Sequence, residues 1–335
     1  TPKPSSAASY VYNRQTKQMS AETNRILTVE YDYEGKGVIY GDTDSVYFSA
    51  APVMGEQQLD MDSAIKLYDH VSNTVSETFP QYLKDTFNVP LTTGQVMKAG
   101  REVVGRAGLF LTKKRYGILC LDIEGYQPEG GKLKAMGLEI KRSDTPEFIQ
   151  DFLEELLVDC LNGLGEDHII ERIKDFKTYF KDLDPWGKGM PKRANNVTLY
   201  TARMLEKATA PQTNTLHKLN ALKNEKQSNM IPGHVRASIN WNNLKKANSD
   251  AYSLTITDGM KVVVCKLKNN PMGYTSIAYP TDELNLPQWF KDLPFDEEAM
   301  EETVLDKKIE NEIGPMGYDL SKTTQSETFS QFFEI

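Results

Sequence analysis

Residues 35–50 read GKGVIYGDTDSVYFSA, two β-prone runs held apart by an acidic turn. Val38, Ile39, Tyr40, Val46, Tyr47 and Phe48 favour a pleated backbone, while Gly41, Asp42 and Asp44 bring turn chemistry. The pattern predicts an antiparallel hairpin. It also leaves two carboxylates one residue apart at a strand junction. An acidic turn is one reading. The other is half of a metal site, because hard ions such as Mg²⁺ take carboxylate oxygens and relieve the repulsion between like charges held close. Asp42 and Asp44 share strand parity, with Tyr40 two residues before Asp42.

The rest of the chain sorts by period. Residues 1–20 are polar and rich in Ser, Thr and Pro. From Met61 to about Leu83 apolar residues recur at helical spacing (Ile65, Leu67, Tyr68, Val71, Val75, Phe79), predicting one or two helices. GLFLTKKRYGILCLDIEG predicts a second hairpin, closed by the basic turn KKR. Near residue 144 the character becomes helical. SDTPEFIQDFLEELLVDCLNGLG offers caps at Ser143, Asp144 or Thr145, Pro146 for the first turn, and a Gly-containing stop. EDHIIERIKDFKTYFKDL, VTLYTARMLEKAT and HVRASINWNNLKKAN predict three more helices. GMKVVVCKLKN carries a β signal, and NNPMGYTSIAYP reads as a Gly/Pro-rich loop. The expected class is α+β: antiparallel hairpins and helices first, then a mainly helical part.

Charge is unevenly spread over the 335 residues. The net charge is −8, yet residues 296–335 alone hold eleven Asp/Glu against three Lys/Arg. Residues 98–117 hold six basic side chains against one acidic, and residues 132–142 four against one. Such clusters attract phosphates even in an acidic molecule; a solvated basic face is the alternative. Cys120, Cys160 and Cys265 are far apart with no CxxC, which fits a reducing cytosol better than a disulfide framework or structural zinc. No run of 18 apolar residues and no basic-then-apolar leader occurs, so neither membrane insertion nor secretion is expected. Phe329, Phe332 and Phe333, close together in QSETFSQFFEI, are candidate anchors for a partner's pocket, or dock back on their own domain.

These pieces resemble one family. YGDTDS looks like the catalytic motif of family B DNA polymerases, LTKKRYG resembles their basic KKRY motif, and KLKAMGLE their KxxG segment. The similarity continues through IPGHVRASINWNNL and NNPMGYTSIAYPTDELNLP, in the order and spacing of T4-like phage enzymes, over roughly residues 25–335. The resemblance implies a two-Mg²⁺ nucleotidyltransferase that adds dNTPs to a primer 3′-end. Asp44 would bridge both ions, with Asp42 beside it and Tyr40, Thr43 and Ser45 supporting the turn. Lys113, Lys114, Arg115 and Tyr116 would grip the primer–template, with Lys132, Lys134 and Gly137 continuing that contact and His234 and Arg236 touching DNA from the thumb. Phe329, Phe332 and Phe333 would anchor a sliding-clamp peptide, for which Gln325 is a weak match to the polar first position.

The same resemblance exposes a deficit. The DxxSLYP-type aspartate motif, the KxxxNSxYG fingers helix and the proofreading exonuclease have no match here. The expected organisation is a polar lead (1–24) that contacts a partner, the C-terminal part of a palm (25–131), a thumb (132–320) and a clamp-binding peptide (321–335). The polar opening TPKPSSAAS reads as a chain start, so a naturally split polymerase is expected, with truncation the alternative. Such a chain would be inactive alone and would need a partner bearing the exonuclease, remaining palm and fingers. It would work in the host bacterial cytoplasm, encoded by a phage. The rival expectation is a non-catalytic DNA- and clamp-binding subunit of a phage replisome.

Overall fold

A computed structural model describes residues 38–42, 44–49, 60–209 and 231–323. The polar lead and the aromatic residues of the C-terminal peptide lie outside them. The chain divides into two compact units, Thr1–Gly137 and Leu138–Ile335. The class is mixed α+β, with antiparallel sheets in both units.

In the first unit the GVIY and VYFS runs form β1 (Val38–Asp42) and β2 (Ser45–Phe48), paired Asp42 to Ser45 and Val38 to Phe48. The helical stretch is one helix, α1 (Met61–Phe87), started by Asp60, whose carboxylate accepts from Ser63 N at 2.8 Å, and ended by Asn88 in the left-handed conformation. Its buried stripe, Ala64, Leu67, Val71 and Val75, follows the helical period; Val71 and Val75 pack with Phe48, Phe79 and Ala99. The second predicted hairpin is β3 (Val103–Thr112) and β4 (Arg115–Ile123), which turns at Lys113–Lys114. A third strand, β5 (Lys132–Met136), continues this sheet in the order β3-β4-β5. The sequence pattern had not marked it as a strand.

The second unit contains the predicted helices α2 (Glu147–Leu161), α3 (Glu166–Asp182), α4 (Val197–Thr209) and α5 (Gly233–Ala247). It also holds a sheet of which only the middle strand was expected: β6 (Met190–Ala194), β7 (Met260–Lys266) and β8 (Ser276–Pro280), in that order. The stretch read as a Gly/Pro loop therefore contains β8. Trp241 of α5 and Phe290 are fully buried in the core beside this sheet. Asn240 Nδ2 donates to Ser276 O at 2.9 Å and so ties the helix to β8.

None of the predicted caps starts α2. Pro146 precedes it without a side-chain cap. Asp144 instead accepts from Arg142 Nε at 3.0 Å and Lys192 Nζ at 2.8 Å, and Thr145 is buried beside Lys308. Lys308, on α6 (Lys307–Ile313), also pairs with Glu139 at 2.9 Å, while Glu312 accepts from Glu139 N at 3.0 Å. This interior cluster fastens the last helix to the start of the unit. Among the described residues no helix is long and apolar enough to cross a membrane.

Candidate functional site

The acidic turn and the basic turn meet within the first unit. β1 stops at Asp42 and β2 starts at Ser45, so strand alternation does not run through to Asp44 and the expected shared parity fails. Asp44 is presented by the turn itself and is exposed, whereas the Asp42 side chain is only 14% exposed. Thr43 lies outside the described residues. Ser45 Oγ donates to the Asp42 carbonyl at 3.2 Å and so braces the turn from within.

Asp42 faces the basic turn. Its carboxylate lies 3.4 Å from Lys113 Nζ and 3.9 Å from Lys114 Nζ. The contact is set up by backbone as much as by charge. Lys114 adopts φ +62°, rare for a non-glycine residue, and its N–H donates to the Tyr40 hydroxyl at 2.8 Å. Gly137 has φ +64°, and a Cβ there would collide with the Lys114 carbonyl and lie 3.1 Å from Arg115 Cγ. The close approach that this glycine permits is to the chain's own basic turn.

Beneath both turns sits an aromatic hub. Tyr40, Tyr47, Phe110 and Tyr116 have ring centroids 5.4–6.1 Å apart. Tyr47 donates to the Tyr116 hydroxyl at 3.4 Å; burial, with this bond second, raises the Tyr47 phenol well above its ordinary value. Tyr116, expected at the duplex, is 5% exposed and is part of this hub. Lys134 pairs with Glu102, and Lys132 is exposed two residues away on the same strand face. His234 and Arg236 belong to the other unit, in the first turns of α5. Arg236 is exposed; His234 is half-buried, its pKa lowered by burial and then by Lys192. Gln325, Phe329, Phe332 and Phe333 lie outside the described residues.

One element of the site had no local signal. Arg101, counted among the basic cluster, points inward: its Nε is 2.6 Å from Asp69 of α1, and it also pairs with Asp122 of β4, which is 1% exposed. It bolts helix to sheet.

The two turns offer carboxylate oxygens and ammonium groups side by side, the donor types that phosphate chemistry with a divalent cation needs. The oxygens of Asp42 and Asp44 suit Mg²⁺, but among the described residues no three His, Cys, Asp or Glu side chains converge on a metal position. The hairpin thus fits part of a donor set. Comparison with known proteins gives this arrangement its class. The chain belongs to DNA polymerase family B, whose family model matches residues 5–227. It is similar to the DNA-directed DNA polymerase of Escherichia phage RB69, 28% identical over 275 residues, which covers 78% of this chain and 28% of that protein. It is also similar to the DNA-directed DNA polymerase of Enterobacteria phage T4, 25% identical over 255 residues, covering 72% and 26%. The matched region spans little more than a quarter of the length of either relative.

Proposed function

We propose that this chain forms the C-terminal portion of a phage replicative DNA polymerase, contributing part of the palm, the thumb and a clamp-binding peptide to an enzyme that extends primers with dNTPs. The observation that carries the reading is the acidic turn held against the basic turn within one unit, 3.4 Å from Asp42 to Lys113. The boundaries proposed are 25–131 for the palm part, 132–320 for the thumb and 321–335 for the peptide, after a partner-contacting lead at 1–24. On this reading the remaining palm, the fingers and the exonuclease, whose motifs have no match in these residues, are supplied from outside them.

Each residue then has a task. Asp44, exposed at the turn, and Asp42 beside it would hold Mg²⁺ on this chain's side. Two such ions, when bound, activate the primer 3′-hydroxyl and steady the triphosphate and leaving pyrophosphate. Asp42 also holds Lys113 and Lys114 at the turn, ready for transfer to duplex phosphates. Arg115, Lys132 and Lys134 extend that cationic surface, and Arg236 and His234 serve the duplex from the thumb. Tyr40, Tyr116 and Gly137 keep the basic turn in place; Thr43 and Ser45 shape the acidic one.

The test is primer extension by this chain mixed with a polypeptide that carries the missing aspartate and fingers motifs. Asp44→Ala should lower extension by about 10³-fold, with duplex binding retained. These residues alone should show no magnesium-dependent extension; activity without the added polypeptide overturns the reading that they carry only part of the active site. Deleting residues 325–335 should reduce processivity on clamp-loaded DNA and leave distributive extension nearly intact. A second reading, a DNA- and clamp-binding subunit without catalytic carboxylates, is favoured by the engagement of Asp42 with two lysines. Near-normal extension by the Asp44→Ala assembly would select it.

A further inference from the structure

The N-terminal half of α2 and the stretch of α3 from its middle to its end enclose a groove that the polymerase reading does not use. On α2, Phe148, Asp151, Phe152 and Glu155 fall at the 3–4 spacing that puts them on one face. On α3, Arg172, Asp175, Phe176 and Tyr179 repeat that spacing and line the opposite wall. Together they bound an open groove of about 420 Å³.

Its floor is aromatic. Phe152 and Phe176 stack with centroids 3.8 Å apart and planes within 7°, and Phe148 stacks on Phe176 at 6.2 Å. Tyr179 stands at the edge, 51% exposed and 5.7 Å from Phe176. The rim is acidic. Asp151, Glu155 and Asp175 line it beside one cationic side chain, Arg172, which is already committed to Glu155 at 2.7 Å and Asp159 at 2.9 Å. Aromatic faces attract cations through their quadrupoles, and carboxylates around them add directional acceptors for an ammonium or guanidinium head.

We propose that this groove binds a basic segment of a partner protein, with an Arg or Lys side chain laid on the aromatic floor and its head between Asp151 and Asp175. The charge excludes two other occupants. Duplex phosphates meet three carboxylates there. The chain's own last residues, 324–335, carry Glu327 and Glu334 and no basic side chain, the wrong sign for this rim. The proposal is independent of the polymerase reading, since it uses neither turn of the first unit.

The test uses the full chain and a fluorescein-labelled octapeptide of alternating Arg and Leu, with a Glu-for-Arg peptide as counterpart. Fluorescence anisotropy should show micromolar binding of the first and none of the second. Asp151→Asn with Asp175→Asn, and separately Tyr179→Ser, should each weaken binding at least tenfold. Asp167→Asn with Glu171→Gln, exposed on α3 but outside the groove, should leave it within twofold. Equal loss in that control pair would reduce the effect to general acidity and overturn the proposal. So would a benzophenone-bearing peptide that crosslinks outside residues 148–179. Tighter peptide binding after deletion of residues 324–335 would make the tail the occupant. Self-association abolished by the Asp151/Asp175 changes would make it a second copy. Either result overturns the basic-partner assignment.

Discussion

Two lysine–carboxylate contacts in this chain use the same chemistry at opposite burial. Lys308 meets Glu139 at 2.9 Å with both side chains under 10% exposed, in the interior of the second unit. Lys113 meets Asp42 at 3.4 Å with the lysine 68% exposed, at the rim of the first. A buried pair resists separation because either partner alone is a charge stranded away from water, whereas an exposed lysine finds water at once. The first contact holds a fold together. The second is one that a phosphate can take over.

The largest predicted effect follows from the buried contact. Lys308→Met removes the buried ammonium held by Glu139 and Thr145, leaving Glu139 only one cation, the more exposed Arg142 at 3.4 Å, and should cost about 3 kcal/mol of stability. Urea unfolding monitored by tryptophan fluorescence should report it, because all three tryptophans lie in the second unit. A loss below about 1 kcal/mol would erase the contrast with Asp42. Next in size is Gly137→Ala, which places a Cβ against the Lys114 carbonyl at a positive φ and should cost roughly 2 kcal/mol. On the function proposed above it should also weaken duplex binding, since the basic turn must move. Unchanged binding would mean that charge alone, not backbone, sets the turn.

Asp144 stands between the extremes, with its side chain 20% exposed. Hydrogen bonding from Arg142, then from Lys192, holds its carboxyl well below the usual carboxylate range. A depressed folded pKa contributes stability above the unfolded value of about 3.9 and loses it as pH falls below that. Asp144→Asn should therefore cost about 1 kcal/mol at pH 7, after discount for exposure, and visibly less at pH 3. A gap that widens in acid would contradict the assigned cause.

The same contrast explains what the sequence made legible. Both hairpins of the first unit and the four principal helices of the second were readable because their signals are local: β-branched runs around turn residues, or stripes at 3–4 spacing. β5, β6 and β8 were not. KLKAM and MPKRA are strands because β4 and β7 pair with them, and Pro191 is tolerated because β6 is an edge strand. The caps proposed for α2 failed for a tertiary reason, Asp144 being drawn to Lys192, 48 residues on. At the site, the acidic and basic motifs were legible one by one. Their meeting was not, because Asp42 and Lys113 are brought together only by the stacking of two hairpins on one aromatic hub. Tyr116, read as a duplex contact, belongs to that hub because its strand residue faces inward, a choice that alternation left open.

The smallest predicted effect is the most informative about the exposed contact. Asp42→Asn removes a carboxylate from two lysines that are each more than half exposed, so stability should change by less than about 1 kcal/mol. If the chain binds duplex as proposed, its affinity should not fall. Lys113 and Lys114 no longer leave an anion to reach phosphate, so binding should tighten by about twofold while the salt dependence keeps its slope, which counts the phosphates neutralised. Lys113→Ala should do the opposite, weakening binding on every sequence and lowering the slope by about one. If Asp42→Asn instead weakens duplex binding, Asp42 orients the lysines toward DNA rather than competing with it. A fall in salt slope would show further that the lysines lose their phosphates when the carboxylate is gone. The pair of variants, measured over a salt series, therefore decides whether the acidic turn holds the basic one in reserve or aims it.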